Sequence, residues 1–429
     1  MPRSGSDFWC KEIELQIPSL LELDRWGTRY IDRLPMETYD LIVVGLGAVG
    51  SAALCQSALR GARVLGIDRF HPPHELGSSH GETRITRQAI GEGMEFAPLV
   101  LRTNVLWRAL EAATGQELMV QNGGLMLLDA AGQADSQGAG AAFYRRTADC
   151  AKRFGIAHQL LTAAEVRQRF PQFVLENGGE GYLEPGAGFL FPERCVAAQL
   201  SLAGANHAEV RTNEIVTEIV TDSAGVVVQT NRSRYGAASV VLTPGPWMAQ
   251  WARTICGLGE AHFAVYRQTL YWFALQENHP RFSPEQMPVF LWSSVRVEKG
   301  FYGFPSLDGV SLKVATEQFD VLSDAGSGPA AVAPEQAQDF YDGRVRVSLR
   351  GLTSRCIRAT TCLYTVVPDH SFVIDHGVDS ERVWFASACS GHGFKHSAAV
   401  GEVLAQKALG ELPTVDLRPF ARQRFKVNI

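Results

Sequence analysis

The chain contains no CxxC pair, no run of basic residues and no apolar stretch long enough to cross a bilayer. Each absence removes a class of function. The eight cysteines, at 10, 55, 150, 195, 256, 356, 362 and 389, are scattered. Neither a zinc site nor a disulfide framework is encoded by that spacing, so no metal is expected, and a reducing, cytoplasmic setting is. With a net charge of −5 over 429 residues and no basic stripe, little is available to neutralise a phosphate backbone, which argues against nucleic acid as a partner. The most apolar segment, LIVVGLGAVGSAALC, is short, glycine-rich and bounded by Asp40 and Gln56, which excludes a membrane helix there. Asp7, Glu12 and Glu14 break up the N-terminal region, so no secretory signal is expected. Residues 1–35 match the rest of the chain poorly, and Met36 stands directly before the first strong strand; the segment reads as an extension and not as a functional domain.

What is present points to an enzyme-sized globular protein. Apolar residues make up 46% and charged residues 20%, and the length exceeds one compact core, so two domains are expected. TYDLIVVGLGAVGSAALCQSALRGARVLGIDRF reads as strand, turn, helix and strand, with Leu41 to Val44 as the first strand and the helix running to about Leu59. Gly45 permits the tight turn, Gly47 lets the backbone approach a pyrophosphate, and Gly50 lets the helix pack closely on the strand. The second strand, Arg63 to Ile67, delivers Asp68 to accept from ribose hydroxyls. This fingerprint does not separate NAD from FAD.

Farther along, HPPHELGSSHGETRITRQAIGEG is long and glycine-rich. If TRITR is extended, odd spacing turns Arg84 and Arg87 to opposite faces, one toward a cofactor ring and one toward a ligand; on these residues alone, two solvated arginines are an equal reading. Helical spacing marks 95–112, a strand 123–129, two short helices 143–175 and a helix from Pro192. ASVVLTPGPW reads as a buried strand ending in a glycine turn over the cofactor. From His262 to Glu317 strand follows strand with alternating character, the pattern of an antiparallel sheet, and 320–340 has the composition of a loop. The fold class is therefore α/β (α+β): a Rossmann-like nucleotide-binding domain and a second domain on a mixed or antiparallel sheet with helices. Cys362, in ATTCLYTVVPD, reads by itself as a small buried hydrophobe.

Taken in order, VVGLGAVGS, PPHELGSSHGETRITR, GEG, YGFPS, LK, CLYT, FVID and SGHGFKHSAAVGE make the chain from Met36 onward resemble the monomeric sarcosine oxidase and N-methyltryptophan oxidase family of FAD amine oxidases. That resemblance implies an FAD-binding domain from 36–120, 180–255 and 355–429, and a substrate domain from 121–179 and 256–354. It implies a covalent thioether from Cys362 to the 8α carbon of FAD, suited to a soft nucleophile. Arg84 is implied to lie against the flavin, with His80, Thr83, Gly391 and Gly393 also at the cofactor. Arg87 and Lys395 would clamp a substrate carboxylate, a planar fork beside a point charge. Tyr302 is implied in the active site. Lys313 would promote the reaction of reduced flavin with oxygen through a fixed positive charge.

One departure stands out. The best-known members carry a histidine four residues after that lysine, where this chain has Glu317; Ile90 likewise replaces a family tyrosine. A carboxylate there cannot donate a hydrogen bond and repels a substrate carboxylate; it would instead attract a cationic amine or pair with an arginine. The implied reaction is oxidative demethylation of an N-methyl amino acid by a monomer, with molecular oxygen as acceptor. The rival readings are an oxidase or dehydrogenase of cyclic or cationic secondary amines, and a flavin-binding protein without turnover.

Overall fold

The computed structural model describes residues 36–131, 138–276, 280–293 and 300–425; the expected N-terminal extension lies outside them. β1 (Glu37–Val44) and β2 (Val64–Ile67) pair in parallel, Leu41 opposite Val64 and Val44 opposite Ile67. α1 (Ala48–Leu59) carries the chain between them, as a parallel connection requires. Leu41 to Val44 and all of β2 are buried, which explains their unbroken apolar runs.

A long glycine-rich loop leads to β3 (Arg84–Thr86), then α2 (Ala97–Thr114) and β4 (Met119–Val120). β5 (Gly124–Leu128), α3 (Ala139–Phe154), β6 (Gln159–Thr162), α4 (Ala163–Arg169) and β7 (Glu180–Glu184) come next. β8 (Gly188–Leu190) and α5 (Pro192–Ala205) precede β9 (Glu209–Arg211), which pairs in parallel with β2, and a meander of β10 (Val216–Thr221), β11 (Val226–Thr230) and β12 (Arg234–Leu242). Then come β13 (Ala264–Leu275), β14 (Val289–Ser293), β15 (Phe301–Gly303), β16 (Ser311–Ala315), α6 (Pro334–Phe340) and β17 (Leu352–Val366). β18 (Val373–His376), β19 (Val383–Ser387) and α7 (Ser397–Ala408) complete the order.

Two eight-stranded sheets result, one ordered β10-β11-β12-β1-β2-β9 with β19 and β18 beyond β12, the other β17-β13-β16-β15-β14-β5-β7-β6; β3, β8 and β4 form a third. The second sheet is mixed, because β14 runs parallel to β5 while its other pairs are antiparallel. Sequence reading departs from the structure in three places. Residues 143–175 hold one long helix, α3, and one short one, α4, separated by β6, whose four residues are too few to show a period. The segment 320–340 ends in α6, whose Pro334 sits in the first turn where a missing N–H is harmless. The strands β9, β10 and β11 carried no recognised signal.

Alternation across the second sheet sorts its side chains. Leu312, Val314, Tyr271, Phe273 and Phe301 enter one apolar cluster with Phe340 of α6. Their neighbours in sequence, Trp272, Ala315 and Tyr302, face the other way and meet Cys362 and Tyr364. A period of two makes this an all-or-none choice, since a slip of one residue would exchange the faces.

The helices set the remaining geometry. A Cβ on Gly401 of α7 would stand 2.4 Å from the Ala52 Cβ of α1, so only glycine allows that approach. Arg102 of α2 forks onto Glu402 of α7 at 2.7 and 2.6 Å, which fixes the turn preceding α7. Gly50 is tighter still: a Cβ there would lie 1.7 Å from the Gly45 oxygen and 2.6 Å from Thr243 Oγ1. Gly50→Ala is expected to lower the stability of the cofactor-free protein by about 1–3 kcal/mol through overpacking. Gly204→Ala, at an exposed position of α5 where a Cβ meets nothing, is expected to be neutral or to stabilise by up to about 1 kcal/mol. Urea midpoints of the two variants, moving in opposite directions, are the check.

Candidate active site

A cavity of about 240 Å³ extends from the β1–α1 turn to the turn before α7. At its first end Gly45 adopts φ +86 with its missing Cβ 2.5 Å from the Thr243 oxygen, while Gly47 opens onto space bounded by Ser79. Gly47 is also the N-cap of α1 and supplies no side-chain cap, so the positive end of the helix faces the cavity. Gly50 lies outside the lining and acts through packing. Asp68 lines the wall, and its two oxygens accept from Leu46 N at 2.7 Å and Phe70 N at 2.8 Å. It therefore fixes the glycine turn while keeping lone pairs for a hydroxyl. The Arg69 guanidinium stacks 4.7 Å over the Trp247 ring on the same wall.

The lining hydroxyls of Thr365, Ser387 and Ser397 are buried without a protein partner. Unpaired buried donors call for an explanation. A long, polar, phosphate-bearing ligand supplies one, and the glycine cradle agrees with it; a dinucleotide such as FAD fits these residues.

In the middle of the cavity Arg84 donates to the Thr83 oxygen at 2.9 Å and to the Ser78 oxygen at 3.0 Å. Lys313 sits on the far side of that loop, in a small second pocket with Thr83. Its ammonium reaches the Gly81 oxygen at 2.5 Å, the Thr83 oxygen at 2.8 Å and Thr83 Oγ1 at 3.0 Å. The Phe304 ring lies 4.5 Å from the same ammonium. Burial, then the Arg84 charge, pulls the lysine pKa well below its usual value, although three oxygen acceptors match the three hydrogens of the charged form. Glu193, unnoticed in the sequence, holds this loop by accepting from Gly81 N at 2.6 Å and Glu82 N at 3.1 Å.

Cys362 is 2% exposed on β17, in register with Gln268 of β13. It packs with Trp272, Ala315 and Tyr364 and is not itself in the lining. Burial raises its thiol pKa, against the pull of Arg84 and Lys313. Cys389, which sequence reading passed over, does line the cavity and packs against that cluster. His80 is buried outside the lining, its pKa pushed to about 4 by burial and the Arg84 charge.

The far end gathers charge. Arg87 does not part from Arg84 to an opposite face: β3 stops at Thr86, the chain turns, and both guanidiniums reach one cavity. Arg87 donates to Glu92 Oε2 at 2.5 Å, and Lys395 stands 3.3 Å from Glu92 Oε1. Burial opposes ionisation of Glu92, but Arg87 and Lys395 override it and hold the carboxyl well below the usual range. Burial pushes Lys395 down to about 8, with Arg87 adding to the effect and Glu92 opposing it. Behind this cluster Glu184 of β7 accepts from Gln88 N at 2.6 Å and Ala89 N at 3.1 Å, which sets the loop that carries Arg87.

Glu317, Tyr302 and Tyr364 complete this end with Gly391 and Gly393. The two phenol oxygens are 3.4 Å apart. Glu317 counts as exposed because it faces the hollow, yet the enclosing protein desolvates it. That burial, with the Glu92 charge, pushes its pKa up to about 7. Ile90, in contrast, is wholly buried in the first sheet's core and takes no part in the lining. Glu92, Tyr364, Cys389, Glu184 and Glu193 were missed as individuals; GEG and CLYT drew notice only as strings, and a lone glutamate carries no local signal.

A family profile described as FAD dependent oxidoreductase matches residues 40–407. The chain is 37% identical over 375 residues to the monomeric sarcosine oxidase of Streptomyces avermitilis, covering 87% of this chain and 94% of that protein. It is 32% identical over 390 residues to an N-methyl-L-tryptophan oxidase of Yersinia pestis, covering 90% of this chain and 100% of that one. Among solved structures it is similar to NikD, an unusual amino acid oxidase essential for nikkomycin biosynthesis. There the TM-score is 0.74 at 26% identity, over 90% of this chain and 97% of that one.

Glu92 occupies the place between two cations that a ligand carboxylate would otherwise take. Glu92→Gln is expected to tighten methoxyacetate, a small carboxylate without an amine, by about tenfold, equivalent to about 1.4 kcal/mol. Titration of the absorbance of bound flavin measures this; an unchanged Kd would mean that Glu92 leaves the cations without cost.

Proposed function

We infer the reaction from an established premise: the chain belongs to the FAD-dependent oxidoreductase family. The enzyme removes the N-methyl group of an amino acid by oxidation, giving the free amino acid, formaldehyde and hydrogen peroxide. The observation that supports this reading is the meeting of Arg87 and Lys395 at one end of the cavity whose other end is the glycine cradle. Names of its relatives, sarcosine oxidase and N-methyl-L-tryptophan oxidase, support the same substrate class.

FAD, when bound, supplies the two-electron acceptor that the carbon–nitrogen bond needs and passes those electrons to oxygen. Gly45, Gly47 and the N-terminus of α1 would hold its phosphates, Asp68 its ribose, and Arg84, with Gly391 and Gly393, its ring. Arg87 and Lys395 orient the substrate by its carboxylate, a forked donor beside a point charge. Holding the reacting carbon by the far end of its molecule converts binding into position. Tyr302 and Tyr364 wall the amine side. Lys313, anchored by three oxygens and buried, is a fixed positive charge suited to stabilising negative charge that develops as oxygen is reduced.

Cys362 is our assignment for a covalent link to the flavin, with His80 and Thr83 supporting the same loop region. We read the protein as a cytoplasmic monomer, following its scattered cysteines and the printed name of its sarcosine-oxidising relatives. No helix among the described residues is long and apolar enough to cross a membrane. A second reading, oxidation of a cyclic or cationic secondary amine, is favoured specifically by Glu317 at the amine side.

The test is a substrate panel of sarcosine, N-methyltryptophan and cyclic imino acids, with peroxide and formaldehyde both measured. One formaldehyde per peroxide from an N-methyl substrate is the expected outcome. Peroxide without formaldehyde, confined to cyclic substrates, would replace demethylation with imino acid oxidation. For the anchor, Cys362→Ser is expected to release its flavin on acid precipitation, while unmodified protein and Cys389→Ser retain the colour in the pellet. Colour lost from Cys389→Ser and kept by Cys362→Ser would move the link to the cavity-lining thiol.

A further inference from the structure

The far end of the cavity contains two cations, Arg87 and Lys395, and two carboxyls, Glu92 and Glu317. Glu92 is already engaged by both cations, at 2.5 and 3.3 Å. Glu317 makes no such contact. Its carboxyl lies instead beside Gly391, 3.1 Å from where a Cβ on that residue would stand. Gly391 has φ +84, so any larger residue would be strained as well as pressed against Glu317.

An amino acid enters as a zwitterion. Its carboxylate is drawn to Arg87 and Lys395, which leaves Glu317 as the carboxyl with no cation of its own to receive the ammonium. The charges then balance: two cations and one ligand cation against two protein carboxylates and one ligand carboxylate. Without Glu317 the ammonium would enter a site with excess positive charge.

Resting on the demethylation reading, we propose that Glu317 binds the secondary ammonium of the substrate and accepts its proton before the neighbouring carbon–hydrogen bond is oxidised. The nitrogen–hydrogen bond breaks with its electron pair left on nitrogen, and an oxygen–hydrogen bond forms on Glu317. Nothing is oxidised or reduced in this step, and both charges vanish together. The freed lone pair is what allows the adjacent carbon to surrender electrons.

The surrounding groups leave Glu317 this task. Tyr302 from β15 and Tyr364 from β17 have phenol pKa values raised, first by burial, so they remain protonated. His392, in the turn before α7, places Nε2 at 3.0 Å from the His370 oxygen, to which it donates, and burial pushes its pKa to about 4. Arg87 and Lys395 are cations, and Glu92 is held ionised between them. Glu317, at about 7, is matched to a proton acceptor working near neutrality. The same placement bears on selection: a second carboxylate on the N-substituent would approach Glu317 and be repelled, whereas neutral and cationic substituents are accepted.

Two small carboxylates test this in the flavin-loaded protein held without oxygen, through the pH dependence of their binding read from flavin absorbance. N,N-dimethylglycine has the cation and methoxyacetate lacks it. Below pH 7 Glu317 is protonated and must release that proton to receive the ammonium. The affinity for dimethylglycine should therefore rise with pH by about an order of magnitude between 5.5 and 7.5. Methoxyacetate should weaken over the same range, because ionised Glu317 only repels it. Both should fall above about 8 as Lys395 loses its charge. Glu317→Gln should abolish the rising limb for dimethylglycine and leave the fall above 8. Parallel profiles for the two probes, or a rising limb that survives in Glu317→Gln, would overturn the proposal. Binding perturbs the spectrum of oxidised flavin whereas turnover bleaches it, so the two are read apart, and a failure of the demethylation reading would be seen separately, in the formaldehyde assay.

Discussion

Two buried cations that share one anion govern the charged end of the cavity. Arg87 and Lys395 are each only 5% exposed, and burying one such charge without a partner costs several kcal/mol. Glu92 makes the pair tolerable, and the requirement for a carboxylate at that point is built in before any substrate arrives. The residue that stabilises the empty site is therefore also the competitor that a substrate must displace or accommodate. A site of this kind favours ligands with a carboxylate and rejects plain amines, which offer no anion to the pair.

This arrangement depends on three separated stretches of chain. The loop after β3 carries Arg87 and Glu92 and is set by Glu184 through two backbone amides. Lys395 stands in the turn before α7, whose position is set by the Gly401 approach to α1 and the Arg102–Glu402 fork. Glu317 leaves the end of β16, on a strand whose other face is committed to the core around Phe340. Because that core fixes the strand register, it also fixes which of Leu312, Lys313, Val314 and Ala315 turn away from it. Core packing on one side of the sheet thus determines the chemistry on the other.

The division of labour along the cavity has an electrostatic logic. The glycine end offers backbone amides and a helix terminus, which are neutral groups acting through their dipoles. The opposite end uses full charges, with two acids against two bases. Between them Lys313 is hydrogen-bonded by backbone and hydroxyl oxygens, and Glu82 and Glu193 act on its charge through space.

Local pattern was enough for the nucleotide end. The runs Leu41–Val44 and Val64–Ile67, the three glycines between them and the helix to Leu59 are contiguous, and each position obeys a short-range steric rule. α7 follows the same rule, its Ser397–Ala408 span opening directly after the glycine-rich SGHGFKH stretch. The resemblance to a family of amine oxidases singled out Arg87, Lys395, Tyr302 and Glu317, all of which line one cavity. β6, α6 and the strands β9, β10 and β11 escaped because short elements with weak periodicity are decided by the neighbours they pack against. So did Glu92, Glu184 and Glu193, whose significance arises from partners on other segments. Sequence alone determined the dinucleotide cradle and the helix that follows it, where the deciding forces act within a few residues. Tertiary structure alone decided that Arg84 and Arg87 share a cavity, that Cys389 and not Cys362 lines it, and that a glutamate stands between the two clamping cations. Burial and charge pairing act through space, and no local pattern records them.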